Sequence, residues 1–83
     1  MLKEKIEILF FSTKACVPCT SVKQQLNESI IQELNIRMID AEDDTDTFIE
    51  YKVMGVPTFI KLVNGIETNR ESGHKTIQEL REL

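Results

Sequence analysis

The only two cysteines of this 83-residue chain stand two residues apart, in Cys16-Val17-Pro18-Cys19. Two thiols at this spacing can close a small disulfide ring with little backbone movement. The pair follows an apolar run (Ile6, Ile8, Leu9, Phe10, Phe11) and precedes a helical pattern. A C-x-x-C at a strand-to-helix junction reads as a redox pair in a chain without export signals. Thiol–disulfide exchange needs a thiolate, and a free cysteine is half-ionised only near pH ~8.5. Cys16, at the N-terminus of the helix, can accept N–H bonds from the first turn, including that of Cys19, and the helix dipole favours its negative charge. Lys14 adds a nearby positive charge that works in the same direction. Cys16 is therefore the candidate nucleophile. Cys19, one turn inside the helix and less exposed, suits the resolving role, in which it attacks the mixed disulfide and releases the reduced partner. Pro18 falls in the first turn, where its missing N–H costs nothing.

A metal site is the rival from another class. C-x-x-C supplies half of a tetrahedral zinc site, and two more ligands would be needed. His74 is the only histidine and lies far along the chain. A second copy of the chain could complete a cysteine-only site or share an iron–sulfur cluster. The acidic residues Asp40, Glu42, Asp43, Asp44 and Asp46 read as a solvated loop and the first turn of a helix, since no EF-hand spacing is present. The expectation is thus a redox-active disulfide with no metal and no cofactor, and His74 reads as a surface residue without a role.

Eighty-three residues fit one domain, 1–83, with a small core. Hydrophobic residues make up 41% and charged residues 29%, a balance that argues for a folded globule and against disorder. The net charge of −4, with scattered lysines and arginines, offers no electrostatic reason to bind nucleic acid. No segment approaches the length needed to span a membrane. Met1–Lys5 carries two lysines, but Glu7 and Lys14 interrupt the apolar stretch that follows, so no signal peptide is read. The chain is expected to be a cytoplasmic monomer, in a compartment where paired cysteines are catalytic or metal-binding rather than structural.

Around the cysteines the pattern alternates between strand and helix. Residues 5–11 alternate at first and then become continuously apolar, as a strand buried on both faces does. From Val17 the period changes, and Cys19, Val22, Leu26, Ile30 and Leu34 predict one amphipathic helix of about four turns, stopped at Asn35. Ile36–Ile39 is a short strand. Asp44 or Thr45 caps a second helix whose inner side is Phe48, Ile49 and Val53, broken at Gly55. Thr58–Val63 is a strand, Asn64-Gly65 a hairpin turn, and Ile66–Arg70 a polar returning strand at a sheet edge. Ser72-Gly73 turns the chain into a last helix with capping-box spacing at Thr76 and Glu79 and an apolar face of Ile77, Leu80 and Leu83. The fold class is α/β, in the order β-α-β-α-β-β-α. It is a four-stranded mixed sheet with three helices on its two faces, the first two strands parallel and the last two an antiparallel hairpin.

With Cys16-x-x-Cys19 at the first strand's exit and Gly55-Val56-Pro57-Thr58 before the third, this order resembles the thioredoxin superfamily over almost the whole chain. In length the chain is glutaredoxin-sized. Lys14-Ala15-Cys16-Val17-Pro18-Cys19-Thr20 and Ser72-Gly73 resemble the short glutaredoxin-like redoxins that reduce ribonucleotide reductase (NrdH-type redoxins). Tyr51 to Phe59 and the Asn64-Gly65 hairpin are similar to thioredoxin itself, so a mini-thioredoxin is the other subfamily implied. Two positions depart from thioredoxins: Ala15 stands where they have a Trp, and Phe10 where they have a buried Asp. The Cys-Pro-Tyr-Cys and Gly-Gly pair of dithiol glutaredoxins are absent.

The resemblance implies a thiol–disulfide oxidoreductase that reduces protein disulfides through a Cys16–Cys19 cycle. It implies a cis peptide bond at Pro57, facing the redox pair, and a backbone at Val56 that pairs with an extended substrate segment. Val17, Met54, Val56 and Gly73 would then form an apolar, closely approachable substrate-binding surface around Cys16. Electrons would come from a reductase resembling thioredoxin reductase rather than from glutathione, and Lys14 would favour an acidic patch on the partner. The alternatives are a glutathione-dependent glutaredoxin and a non-enzymatic metal- or iron–sulfur-binding module.

Overall fold

Strand β1, Ile6–Ser12, lies inside the sheet, which explains the continuous apolar run from Ile8 to Phe11. The computed structural model describes residues 3–83, so part of the Met1–Lys5 segment read above for a leader lies outside the described residues. On one side β1 pairs in parallel with β2 (Ile36–Asp40), in a register from Ile8↔Ile36 to Ser12↔Asp40. On the other it pairs antiparallel with β3, Thr58–Val63. A hairpin through Asn64 and Gly65, both at positive φ, leads into β4, Ile66–Ser72. The sheet order is β2-β1-β3-β4. Every residue of β4 is exposed, as an edge strand allows.

The helix expected over Val17–Leu34 is two helices, α1 (Val17–Gln25) and α2 (Glu28–Leu34). Leu26 and Asn27 are extended, and the Asn27 side chain accepts a 2.9 Å hydrogen bond from the Ile30 N–H, so Asn27 caps a new helix instead of continuing the old one. Asparagine competes for backbone donors inside a helix and is favoured at an N-cap. The break shifts the apolar spacing by one residue: Val22, Leu26 and Leu34 reach one core cluster as expected, but Ile31 joins them in place of Ile30, because the extended Leu26 and Asn27 change the phase of α2. Asn35 ends α2 in the left-handed region, as its place in the sequence predicts.

Helix α3, Thr45–Glu50, is shorter than its pattern suggests. Lys52, not Gly55, takes the left-handed turn, with Val53 N–H donating to Phe48 O at 2.9 Å and Lys52 N–H to Ile49 O at 3.1 Å. That is a Schellman stop. Its inner residues are Phe48, Tyr51 and Val53, while Ile49 is exposed. Residues 48 and 51 share a face at a three-residue step and 49 does not. Helix α4, Ile77–Arg81, has both halves of its capping box, between Thr76 and Glu79. The described residues thus form four helices where three were expected, in the order β-α-α-β-α-β-β-α.

Two apolar layers hold the sheet. On one face Ile8, Phe10, Ile36 and Phe59 meet Cys19 and Val22 of α1 and Leu80 of α4. Phe10 and Phe59 stack across the strands with centroids 4.7 Å apart. On the other face Leu9, Phe11, Ile39 and Ile60 meet Phe48 and Tyr51. A cleft of about 240 Å³ opens between the start of β1, the end of α2 and α4, lined by Ile6, Leu34, Leu80 and Arg81 among others, and none of the candidate site residues lines it.

Candidate redox site

The chain leaves β1 at Ser12, turns through Thr13–Cys16 with Cys16 N–H donating to Thr13 O at 3.4 Å, and enters α1. Cys16 is the N-cap of α1, with Pro18 in the first turn. A disulfide joins Cys16 and Cys19, whose Cα atoms are 5.1 Å apart. The Cys19 N–H donates to Cys16 Sγ at 3.1 Å, so a first-turn donor is aimed at this sulfur, a geometry that favours a thiolate there once the bond opens.

The two sulfurs sit in different surroundings. Cys16 is half-buried, flanked by Val17 at 78% exposure. Cys19 is sealed, at 0%, among Phe10, Val22 and Phe59. An incoming group therefore meets Cys16. Phe10 places a ring, and no proton-accepting group, in the cluster around Cys19.

Val56 packs on the same cluster as Cys16 and Cys19, and the Val56–Pro57 peptide bond is cis. Thr58 fixes this turn from below: its buried hydroxyl donates to Gly55 O at 2.7 Å and lies 3.3 Å from the Ser72 hydroxyl. Gly73 N–H donates to Pro57 O at 2.9 Å, which ties the end of β4 to the proline turn. Gly73 has φ +92, a conformation that side-chain-bearing residues rarely adopt. Met54, at 97% exposure, projects from the loop before the proline. Cys16, Cys19 and Val56 thus share one cluster, and Gly73 is tied to the neighbouring Pro57 by one backbone bond.

The thioredoxin family profile matches residues 1–83, the entire chain. The chain belongs to the thioredoxin family. Its Cys16–Cys19 disulfide and this membership make it a protein-disulfide oxidoreductase. A thioredoxin from Bacillus subtilis (strain 168) is 29% identical over 83 residues, spanning 96% of this chain and 80% of the relative. The thioredoxin of Fasciola hepatica superposes with a TM-score of 0.80 at 25% identity, covering 94% of this chain and 76% of that one. Thioredoxin NaTrxh from Nicotiana alata superposes with a TM-score of 0.79 at 27% identity, covering 94% and 69%. These similarities bear out the fold read from the two motifs.

Lys14 is the sequence-predicted residue whose surroundings differ most from expectation in this thioredoxin-family chain. Its ammonium lies 3.7 Å from a Glu42 carboxylate oxygen and 3.8 Å from one of Asp43, so it is not an isolated positive charge beside Cys16. His74 hydrogen-bonds Gln25 of α1 at 3.2 Å and lies at the surface. Among the described residues, no group of three or more His, Cys, Asp or Glu side chains gathers as a metal site would require. No helix among the described residues is long and apolar enough to cross a membrane. The sequence reading missed the supporting work of Thr58 and Ser72, whose only early signal is that Thr58 closes the Gly55-Val56-Pro57-Thr58 motif. The acidic loop is exposed, as its composition predicts, and Glu42 and Asp43 reach Lys14 beside the redox turn, the approach to the active edge that the strand order allows.

Proposed function

We propose that this thioredoxin-family chain works in the reducing direction, as a monomeric cytoplasmic reductase of protein disulfides. The observation that carries the reading is the asymmetry of the pair: one sulfur is approachable at a helix N-cap and its partner is sealed one turn below. The Cys16 thiolate attacks a disulfide sulfur of the partner. A Cys16–partner bond forms, the partner's S–S bond breaks, and one partner sulfur leaves as thiolate. Cys19, after losing its proton, attacks Cys16 Sγ. The Cys16–Cys19 bond forms and the second partner sulfur leaves. Two electrons have passed to the partner, and no metal or cofactor takes part in the balance. Val17, Val56 and Gly73 form the contact surface for the partner chain, with the Val56 backbone pairing to an extended segment.

The reduced pair is regenerated by a reductase of the thioredoxin reductase kind. Supporting this over glutathione, the chain lacks the glutaredoxin Cys-Pro-Tyr-Cys and Gly-Gly features, while its proline motif and hairpin are thioredoxin-like. Two measurements test the reading. Equilibration of the pair against glutathione buffers should give a potential near the roughly −270 mV of thioredoxin, and a value near roughly −180 to −120 mV would make the chain an oxidant or isomerase. Insulin-type disulfide reduction should proceed in EDTA; loss of activity there, or a stoichiometric metal or cluster in protein purified without oxygen, would favour the binding-module alternative.

A further inference from the structure

We propose, on the reductase reading above, that Arg70 is a positioning residue for protein substrates. From the edge strand β4 it fixes the start of the segment 52–57, which presents Met54 and Val56 to the partner chain. It acts through that segment and not on the cysteines.

The segment crosses the end of the sheet outside any helix or strand. Val53 packs on the layer of Phe48 and Tyr51, and Val56 on the opposite layer, with Cys16 and Cys19. Between them nothing is held by packing: Met54 is 97% exposed, and Gly55 has open space where a side chain would stand. Hydrogen bonds at the two ends must then set the path. Downstream, the Thr58 hydroxyl donates to Gly55 O and meets Ser72 of β4, and Gly73 N–H donates to Pro57 O. Upstream, Arg70 Nη2 donates to the Tyr51 carbonyl oxygen at 2.7 Å. Tyr51 is the C-cap of α3, where carbonyls lack a donor within the helix and an arginine side chain can supply one. The exposed strand β4 thus clamps the contact segment at both ends.

A β-bulge aims Arg70. In a regular strand, residues three apart point to opposite faces. The register of β3 with β4 slips between Lys61 and Leu62, so that Glu67 stands opposite Leu62 and Arg70 opposite Ile60. Directly opposed residues share a face, and Leu62 and Ile60 both belong to the layer that holds Tyr51. The extra residue therefore turns Glu67 and Arg70 to one face, the face of Tyr51. There Arg70 Nε and Nη2 each donate to a Glu67 carboxylate oxygen at 2.8 Å. Such a fork fixes the plane of the guanidinium, and the same Nη2 carries the bond to Tyr51 O. A surface ion pair by itself contributes little stability, so the use of this one is direction. Bulges that re-aim a side chain recur beside active sites.

The test gives the reduced full chain two substrates. Insulin must lie along the contact segment, whereas bis(2-hydroxyethyl) disulfide needs only an approachable Cys16. Arg70→Met keeps the aliphatic stem and removes the donors. It should slow insulin reduction about three- to tenfold, as one lost hydrogen bond allows, and leave the small disulfide near the wild-type rate. Arg70→Lys, with a donor but no fork, should recover part of the loss, and Glu67→Gln should show a smaller loss in the same direction. Amide hydrogen exchange at Met54 and Gly55 should quicken in Arg70→Met while the β1 amides keep their protection, a pattern that global destabilisation would not give. If Arg70→Met does not fold, Arg70→Lys and Glu67→Gln carry the same comparison. Equal slowing of both substrates, no change in either, or unchanged exchange at Met54 and Gly55 would overturn the proposal. If the wild-type chain reduces neither substrate, the reductase reading itself fails; if it reduces both and the variants treat them alike, this inference fails alone.

Discussion

Cys16 and Cys19 divide one chemistry between two environments, and that division makes the site testable residue by residue. After reduction, iodoacetamide should modify Cys16 first, because Cys16 is approachable and Cys19 is fully enclosed. Mapping the labelled peptide checks this, and early labelling of Cys19 would exchange the assigned roles. Cys19→Ser should trap a mixed disulfide through Cys16, and Cys16→Ser should abolish exchange. Phe10 tests the floor beneath the pair. It is fully buried, stacks on Phe59 and shares a cluster with Cys19. Phe10→Ala should destabilise the protein by about 3–5 kcal/mol through lost burial and the cavity left behind, read as a lower urea midpoint.

At the scale of elements, the helix termini do the positioning. Asn27 separates α1 from α2 through a single capping bond, and Asn27→Ala should cost about 1 kcal/mol of stability in urea unfolding. Asp44 caps α3, and hydrogen bonds from the Thr47 hydroxyl and then the Thr47 N–H hold its carboxyl below the usual range. An acid whose folded-state value is depressed binds fewer protons folded than unfolded. Its contribution is therefore complete above the ordinary aspartate value of about 3.9 and is lost as pH falls through the folded value. Glu79, in the capping box of α4, is lowered in the same way by the Thr76 N–H and hydroxyl. Asp44→Asn keeps a capping oxygen but removes the titration, so the Tm advantage of wild type over this variant should shrink between pH 5 and the acid limit. A difference independent of pH would contradict the capping account.

For the molecule as a whole, the departures at Ala15 and Phe10 bear on turnover. Ala15 puts a methyl where thioredoxins carry an indole beside the first cysteine, and Phe10 leaves Cys19 without an internal proton acceptor in its apolar cluster. The expected outcome is a working reductase that is slower or narrower in scope than a full-length thioredoxin and is driven by thioredoxin reductase better than by glutathione with glutathione reductase. Steady-state kinetics with each electron source decide it, and equal rates would favour the glutaredoxin alternative. The sheet order also explains why so short a chain can carry the site. Of the two inner strands, β1 ends at the redox turn and the antiparallel β3 begins at the proline turn beside it, so the best-buried strands position the chemistry.

Local chemistry was legible in the residues alone. The cysteine spacing, the strand before it, the hairpin at Asn64-Gly65, the stop at Asn35 and the capping box at Thr76 each depend on contacts within a few positions, and all are present in the structure. The break at Leu26–Asn27 was not legible, because the apolar period runs through it. Periodicity reports which residues face the core and is silent on whether one helix or two present them. The Schellman stop at Lys52 was hidden by the stronger breaker Gly55. What only the tertiary structure decided is which distant groups meet. The parallel register of β1 with β2 sets Asp40 beside Ser12 and so carries Glu42 and Asp43 to Lys14. The return of β4 brings Gly73 to Pro57, across sixteen positions of sequence. Strand register is a property of the whole packed sheet, and no local pattern encodes which charges it will place at the lip of the redox turn.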